Sequence, residues 1–210
     1  GEKPYHRWNK TTSHQGHHRV QENAYSYSRS DLNDNDWKAM FELMEKGLNA
    51  FMAEKAPFDL HKKAVINPYH TNVGIGCYLT NGEFRYYEEY IDGIIDDFKS
   101  SINGDSCTIS FKLSLEQHVH FVVVSSDRIK NKTAKALNKT GSYFDQGETI
   151  EYQIPFFQLK KSGDYYEFSV ALKDMDKAYY FQVYLGDIAP NPRKITSKNT
   201  YPATGFVIFK

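Results

Sequence analysis

The chain has 210 residues and a mass of 24.3 kDa, enough for one large domain or two small ones. Its 26 Lys+Arg balance 26 Asp+Glu, so there is no net cationic field to make a nucleic-acid backbone its main partner. A hydrophobic fraction of 40%, with 16 Tyr and 14 Phe, excludes a disordered chain, and no run of about 18 apolar residues exists to span a bilayer as a helix.

Residues 1–30 are expected to be loop, poor in aliphatics and holding His6, His14, His17 and His18. The opening GEKPYHRWNK is polar, lacks the apolar core of a signal peptide and does not begin with Met. Asp34, Asn35 and Asp36 then supply a helix-start signal. Behind them Trp37, Met40, Phe41, Met44, Leu48, Phe51 and Met52 recur at helical spacing, which predicts one buried helical face. Lys38, Glu42, Glu45, Lys46 and Asn49 take the other side. Ala56-Pro57 is expected to end the helix, because the residue before a proline is pushed out of the α region.

Beyond residue 64 the period becomes two. Val73 to Leu79 runs into Thr80-Asn81-Gly82 and resumes at Glu83 to Tyr87, and Asn-Gly between two β-prone runs predicts a hairpin. Residues 92–105 are expected to lead, as a linker, into a different domain. Strands are predicted at 106–114, 118–125, 148–157, 165–173, 177–186 and 203–210, a spacing that suggests a small antiparallel β-sandwich. Between them, 126–147 forms a basic connection with Arg128, Lys130, Lys132, Lys135 and Lys139.

Cys77 and Cys107 both fall in strand-like runs and are expected to be buried free thiols. Asn-Lys-Thr triplets at Asn9, Asn131 and Asn138 satisfy the glycosylation acceptor pattern. The compartment stays open, with the two thiols favouring an intracellular one over secretion.

There is no nucleophile elbow, glycine-rich phosphate loop, dinucleotide fingerprint or paired-cysteine zinc spacing. What remains is a scatter of histidines and carboxylates in residues 1–70. Brought together they make a divalent-metal site or an acid/base pair; left apart they are a polar loop.

Their order and flanks carry a resemblance. Ser13-His14-Gln15-Gly16 is followed by Gln21-Glu22-Asn23-Ala24, and then by Phe51-Met52-Ala53-Glu54 at the helix end. HKKAVINPYHTNVGIG, residues 61–76, closes the series. This succession resembles the CAP superfamily of cysteine-rich secretory, antigen 5 and pathogenesis-related proteins, in its disulfide-poor form. The resemblance implies an α+β chain. A partial CAP α-β-α sandwich would occupy 1–98 without its first helix, with a linker at 99–105 and an Ig-like β-sandwich over 106–210. It further implies that His14, Glu22, Glu54 and His61 converge in one cleft, a tetrad whose chemistry suits zinc or a similar cation. A hydrogen-bonded polar network needing no metal is the alternative for the same residues. Gln21 departs from the family's glycine and Phe51 from its tryptophan, and the disulfide cysteines are missing. Without the first helix the sheet would be bare, so a protein partner or a further chain segment is expected to cover it. Thr140-Gly141-Ser142-Tyr143 and Thr204 to Ile208 are similar to the β-rich domain that some plant and protist relatives append.

The function this implies is non-enzymatic: a binding or scaffold protein contacting protein, lipid or sterol within a larger assembly. Two alternatives stand beside it. One is a metal-dependent hydrolase whose zinc-bound water attacks with Glu22 or Glu54 as base. The other is a secreted defence or effector protein carrying the three acceptor triplets.

Overall fold

The computed structural model describes residues 16–18, 21–34, 36–128, 149–174, 176–194, 196, 198–203 and 205–209. The chain divides into two compact units, Val20–Gly93 and Ile94–Lys210, the second also taking in Gly1–Arg19.

The smaller unit is a three-stranded antiparallel sheet, in the order β2 (Gln21–Ser28), β4 (Glu83–Asp92), β3 (His70–Thr80), with two helices, α1 (Trp37–Met52) and α2 (Leu60–Val65). Asp36 caps α1: its carboxylate accepts the Ala39 N–H at 3.0 Å and so satisfies one of the orphan amides of the first turn. The β3–β4 turn is Asn81-Gly82, both with positive φ (50° and 72°), as a two-residue hairpin turn requires. A Cβ on Gly82 would meet the Arg29 carbonyl at 2.6 Å. This end of the hairpin is tied to the start of the helix, since the Asn81 N–H donates to Asp34 Oδ1 at 2.6 Å.

Register sorts the sheet into two faces, because side chains alternate along a strand. One face carries four rows: Tyr27, Phe84 and Leu79; Tyr25, Tyr86 and Cys77; Asn23, Glu88 and Ile75; Gln21, Tyr90 and Val73. Helix α1 packs on the first two rows, where Met40, Leu43 and Phe51 meet Leu79, Phe84 and Tyr86. The approach is close: a Cβ on Gly47 would lie 3.0 Å from the Tyr25 and Tyr86 rings. Helix α2 joins the same face, Val65 packing against that cluster and the His61 carbonyl accepting from Asn23.

Several expectations are corrected here. Both helices lie on one face, so the unit has two layers, and the three-layer CAP α-β-α sandwich is not formed among the described residues. Residues 21–28, expected as loop, are a full strand paired along β4. The buried face of α1 is Met40, Leu43, Gly47 and Phe51, whereas Trp37, Phe41, Leu48 and Met52 are exposed. The apolar arc of this helix is wider than the face the sheet covers.

The larger unit consists of two antiparallel sheets. One runs β1 (Gly16–His18), β13 (Gly205–Phe209), β11 (Lys177–Gly186), β7 (His118–Arg128), β8 (Thr149–Pro155), with β12 (Tyr201–Pro202) also on β11. The other runs β5 (Ile95–Asn103), β6 (Ser106–Leu113), β10 (Tyr165–Ala171), β9 (Lys160–Ser162). They pack face to face: Phe98 stacks on Phe206 at 3.8 Å and Phe168 meets Phe181 at 6.4 Å. Strand β11 is buried on both faces, which is why Ala178 to Leu185 is apolar almost throughout instead of alternating. Two buried polar side chains on it donate, Tyr180 to Asp127 at 2.7 Å and the Gln182 amide to the Ala203 carbonyl.

This arrangement replaces the Ig-like domain expected at 106–210. Residues 99–105, expected as linker, are the end of β5 and its two-residue turn to β6, with Gly104 at φ 59°. Strands β1 and β5 lie outside the predicted span, and β1 pairs with β13, so the smaller unit is inserted between the first two strands of the larger one. The turn at 140–143 and the acceptor residues Asn9, Asn131 and Asn138 fall outside the described residues.

Candidate functional site

The polar half of the helix-bearing face, in the smaller unit, gathers the groups most capable of chemistry. Glu54 follows α1 and turns back onto the first turn of α2. Its Oε2 accepts the backbone N–H of His61 at 3.1 Å and of Lys62 at 3.4 Å, and its Oε1 lies 2.5 Å from His61 Nδ1. These amides are orphan donors of a helix N-terminus, so Glu54 serves α2 as a capping carboxylate supplied from another element. The hydrogen bond to His61, foremost, and those amides hold its carboxyl below the ordinary glutamate range. The imidazole of His61 is also stacked on Phe51, with ring centres 5.1 Å apart.

One step deeper, Glu88 is 3% exposed and accepts from three donors: Tyr86 Oη, Tyr90 Oη at 2.6 Å and Asn23 Nδ2 at 3.1 Å. Asn23, 1% exposed, also donates to the His61 carbonyl at 3.1 Å, which joins the buried carboxylate to α2. Burial first, and Glu88 second, push both tyrosine hydroxyls well above the ordinary phenol value, so each is a fixed donor and not a base. At the far end His70 stacks on Tyr90 at 4.9 Å and sits 3.2 Å from Asn67 Nδ2, which donates to Gln21 at 3.2 Å. Burial pushes the His70 imidazole below its ordinary value, with the Ala64 backbone and Asp92 pulling the other way.

Of the four residues implied to converge, the structure brings two together, Glu54 and His61. Glu22 is exposed on β2 beside Asn23, and alternation places it on the opposite face of the sheet, across from Glu89. His14 lies outside the described residues. Among the described residues no three His, Cys, Asp or Glu side chains gather in metal-binding geometry. Glu54 and His61 alone fall short of the three or four protein ligands of a zinc site.

Asn23, Glu88, Tyr86 and Tyr90 were not expected. Their signal was a strand parity: Phe84, Tyr86, Glu88 and Tyr90 share one face, and a carboxylate in such an aromatic row must be held by its neighbours.

Beside this network the same face is uncovered. Ile75 and Val73, in the rows of Glu88 and Tyr90, are 57% and 51% exposed, while Leu79 in the first row is 7% exposed. Along α1 the second apolar stripe stands in water, with Trp37 67% and Phe41 65% exposed, followed by Leu48 and Met52. Phe58, Leu60 and Ile66 are exposed around α2. Most of the exposed large apolar side chains among the described residues thus belong to the smaller unit.

Comparison with known proteins adds little to this geometry. No family model matches the chain and no curated protein matches it, which together with the single helical layer overturns the CAP assignment. Among solved structures, one from Bacteroides uniformis, described as a "putative carbohydrate binding protein", is 13% identical. The match covers 68% of this chain and 89% of that one with a TM-score of 0.28, a likeness too slight to bear on function. Among the described residues no helix is long and apolar enough to cross a membrane.

Proposed function

We propose that the protein is a non-enzymatic binding protein whose smaller unit engages a protein or lipid partner through the uncovered apolar part of its helix-bearing face. The observation that carries this reading is the pair of uncovered tracts: the stripe Trp37, Phe41, Leu48, Met52 on α1, and Val73 with Ile75 on β3. Large exposed apolar tracts on a folded unit mark interaction sites. The polar network beneath supports the same reading. Its two carboxylates are already occupied, Glu54 by the first turn of α2 and Glu88 by three donors, which suits a rigid support for the binding face. An environment-sensitive apolar dye such as ANS tests it. The native chain should enhance the dye's fluorescence, and Phe41→Ser with Ile75→Ser should cut that enhancement several-fold while leaving the far-UV spectrum unchanged. A native chain that leaves the dye dark even when diluted until it is monomeric sinks the reading.

One observation favours a second reading, a cation-assisted hydrolase. With Nδ1 of His61 on a carboxylate, Nε2 has the orientation of a histidine metal ligand. His61 would offer Nε2 to the cation, which would supply a Lewis acid, with Glu54 orienting the ring from behind through Nδ1 and the remaining ligands coming from outside this pair. Zinc titration decides between the two: stoichiometric uptake that vanishes in His61→Ala favours the hydrolase, and no uptake favours the binding protein.

A further inference from the structure

Helix α1 carries two apolar stripes at helical spacing. Met40, Leu43, Gly47 and Phe51 point at the sheet. Trp37, Phe41, Met44, Leu48 and Met52, spaced by four, three, four and four residues, form a second line roughly 95° around the axis. Met44 is partly buried against the core and the other four are exposed. The line is about 22 Å long at 1.5 Å per residue. It starts at the hairpin end, where Asp34 binds Asn81, and finishes where Phe51 stacks over Tyr86, one row short of Ile75. The helix stripe therefore runs toward the bare half of the same sheet face.

We propose that a second copy of this chain occupies this surface, the two α1 helices packing antiparallel about a two-fold axis near Met44. The proposal rests on the binding reading above and names its partner. Area is the argument. An aromatic side chain is worth about 150–250 Å², so Trp37 and Phe41 at their exposed fractions leave roughly 200–330 Å² of apolar surface in water. A buried aliphatic side chain is worth roughly 60–120 Å² at 25 cal/mol per Å², so Leu48, Met52, Val73 and Ile75 at their exposed fractions add roughly 110–220 Å². A standard-size interface buries about 800 Å² per partner, and at the roughly 65% apolar share of homodimer interfaces that is about 520 Å², the smaller, dissociable end for a homodimer. The tract reaches that figure at the upper end of its range, and only with both the helix and the strand included. Its chemistry also fits: aromatic and Met side chains make up the line, and the charged residues Lys38 and Glu45 flank it at the rim. A surface that packs on itself about a two-fold axis needs no complementary charge from a partner, and the central line of this one carries none.

Sedimentation velocity on the whole chain tests this, over a dilution series from high to low micromolar. Wild type should sediment at twice the 24.3 kDa chain mass at the high end and dissociate on dilution. Phe41→Glu and, separately, Ile75→Glu should each weaken the dimer at least 100-fold, and Phe41→Leu should retain it. Phe41 and Ile75 are exposed, so these variants fold, which thermal melts in parallel will verify. A wild-type chain that stays at monomer mass throughout overturns the dimer. If that monomer floats with phosphatidylcholine vesicles, the occupant is a lipid surface; if it brightens ANS without floating, the binding reading survives with another partner. A dimer indifferent to both Glu substitutions overturns the assigned surface. A monomer that neither floats nor brightens the dye removes the dimer and the binding reading together.

Discussion

Asn23 and Glu22 are neighbours in sequence with opposite surroundings, and replacing each in turn tests the face assignment that underlies the site. Asn23→Leu keeps the side chain's size and removes its amide. Two consequences follow from the structure. The buried Glu88 carboxylate loses one of three donors, and the His61 carbonyl loses its link to β2. A hydrogen bond to a charged group contributes about 1.5–3 kcal/mol, and a buried group left without its partner costs about 1–3 kcal/mol. The combined loss is roughly 2–5 kcal/mol, since the two effects overlap. A unit of some 70 residues has a stability of about 4–10 kcal/mol at 0.05–0.15 kcal/mol per residue, so the substitution removes a large part of it. Urea unfolding followed by circular dichroism should show the midpoint of the smaller unit falling by about 1 M or more. Glu22→Ala, on the open face, should move it by no more than about 0.5 kcal/mol. An Asn23→Leu chain as stable as wild type, or a Glu22→Ala chain as damaged as Asn23→Leu, refutes the reasoning.

Three further outcomes follow from the packing and the titrating groups. The Glu54 carboxyl is held below its ordinary value in the folded chain, so the stability it contributes is present above about pH 4.3 and is lost as pH falls through the lowered value. Unfolding midpoints of wild type and Glu54→Gln at pH 6 and pH 3 should therefore differ more at pH 6, and an equal gap at both contradicts the pairing. Gly186→Ala should destabilise the larger unit by about 1–3 kcal/mol, because its Cβ would stand 2.7 Å from His120 Nε2 and 2.9 Å from the Asn199 carbonyl. Gly76→Ala, with open space around it, should be neutral in the same melts. Burial pushes the Cys107 thiol up to about 11, so at pH 8 a thiol reagent should leave it unmodified in the folded chain and label it once denaturant is added. Rapid labelling of native Cys107, read by peptide mass spectrometry, goes against its placement in the β5–β6–β10 sheet.

Local signals were legible in the sequence where one residue type does one job. Asp36 before an apolar period gave the start of α1, and Asn81-Gly82 between two β-prone runs gave the β3–β4 hairpin. The strands from residue 106 onward were recognisable from period and spacing. Long-range pairing was not. Within 21–28 only Tyr25-Ser26-Tyr27-Ser28 alternates, and the polar Gln21-Glu22-Asn23 before it has the composition of a loop until β4 supplies its partner. Residues 95–103 carry two aspartates and two serines because one side of β5 is exposed, and that polarity resembles a linker. The apolar arc of α1 held enough residues for two stripes, and spacing alone could not say which one the sheet covers. Similarly, the motif order linked Glu54 with His61, which do meet, but it set Glu22 in their company where strand parity gives that place to Asn23. A resemblance built on short motifs thus identified one contact and misjudged the architecture, since single layers and double layers of helix can share the same local patterns.

The smaller unit presents a bare apolar tract beside a polar network whose inner members, Asn23, Tyr86, Glu88 and Tyr90, are buried. Hydroxyl-radical footprinting of the chain at high dilution, resolved by residue, measures this directly. Trp37, Phe41 and Ile75 should be modified readily while Phe84, Tyr86 and Tyr90 stay protected. Equal protection of Trp37, Phe41 and Phe84 in the dilute chain contradicts the account.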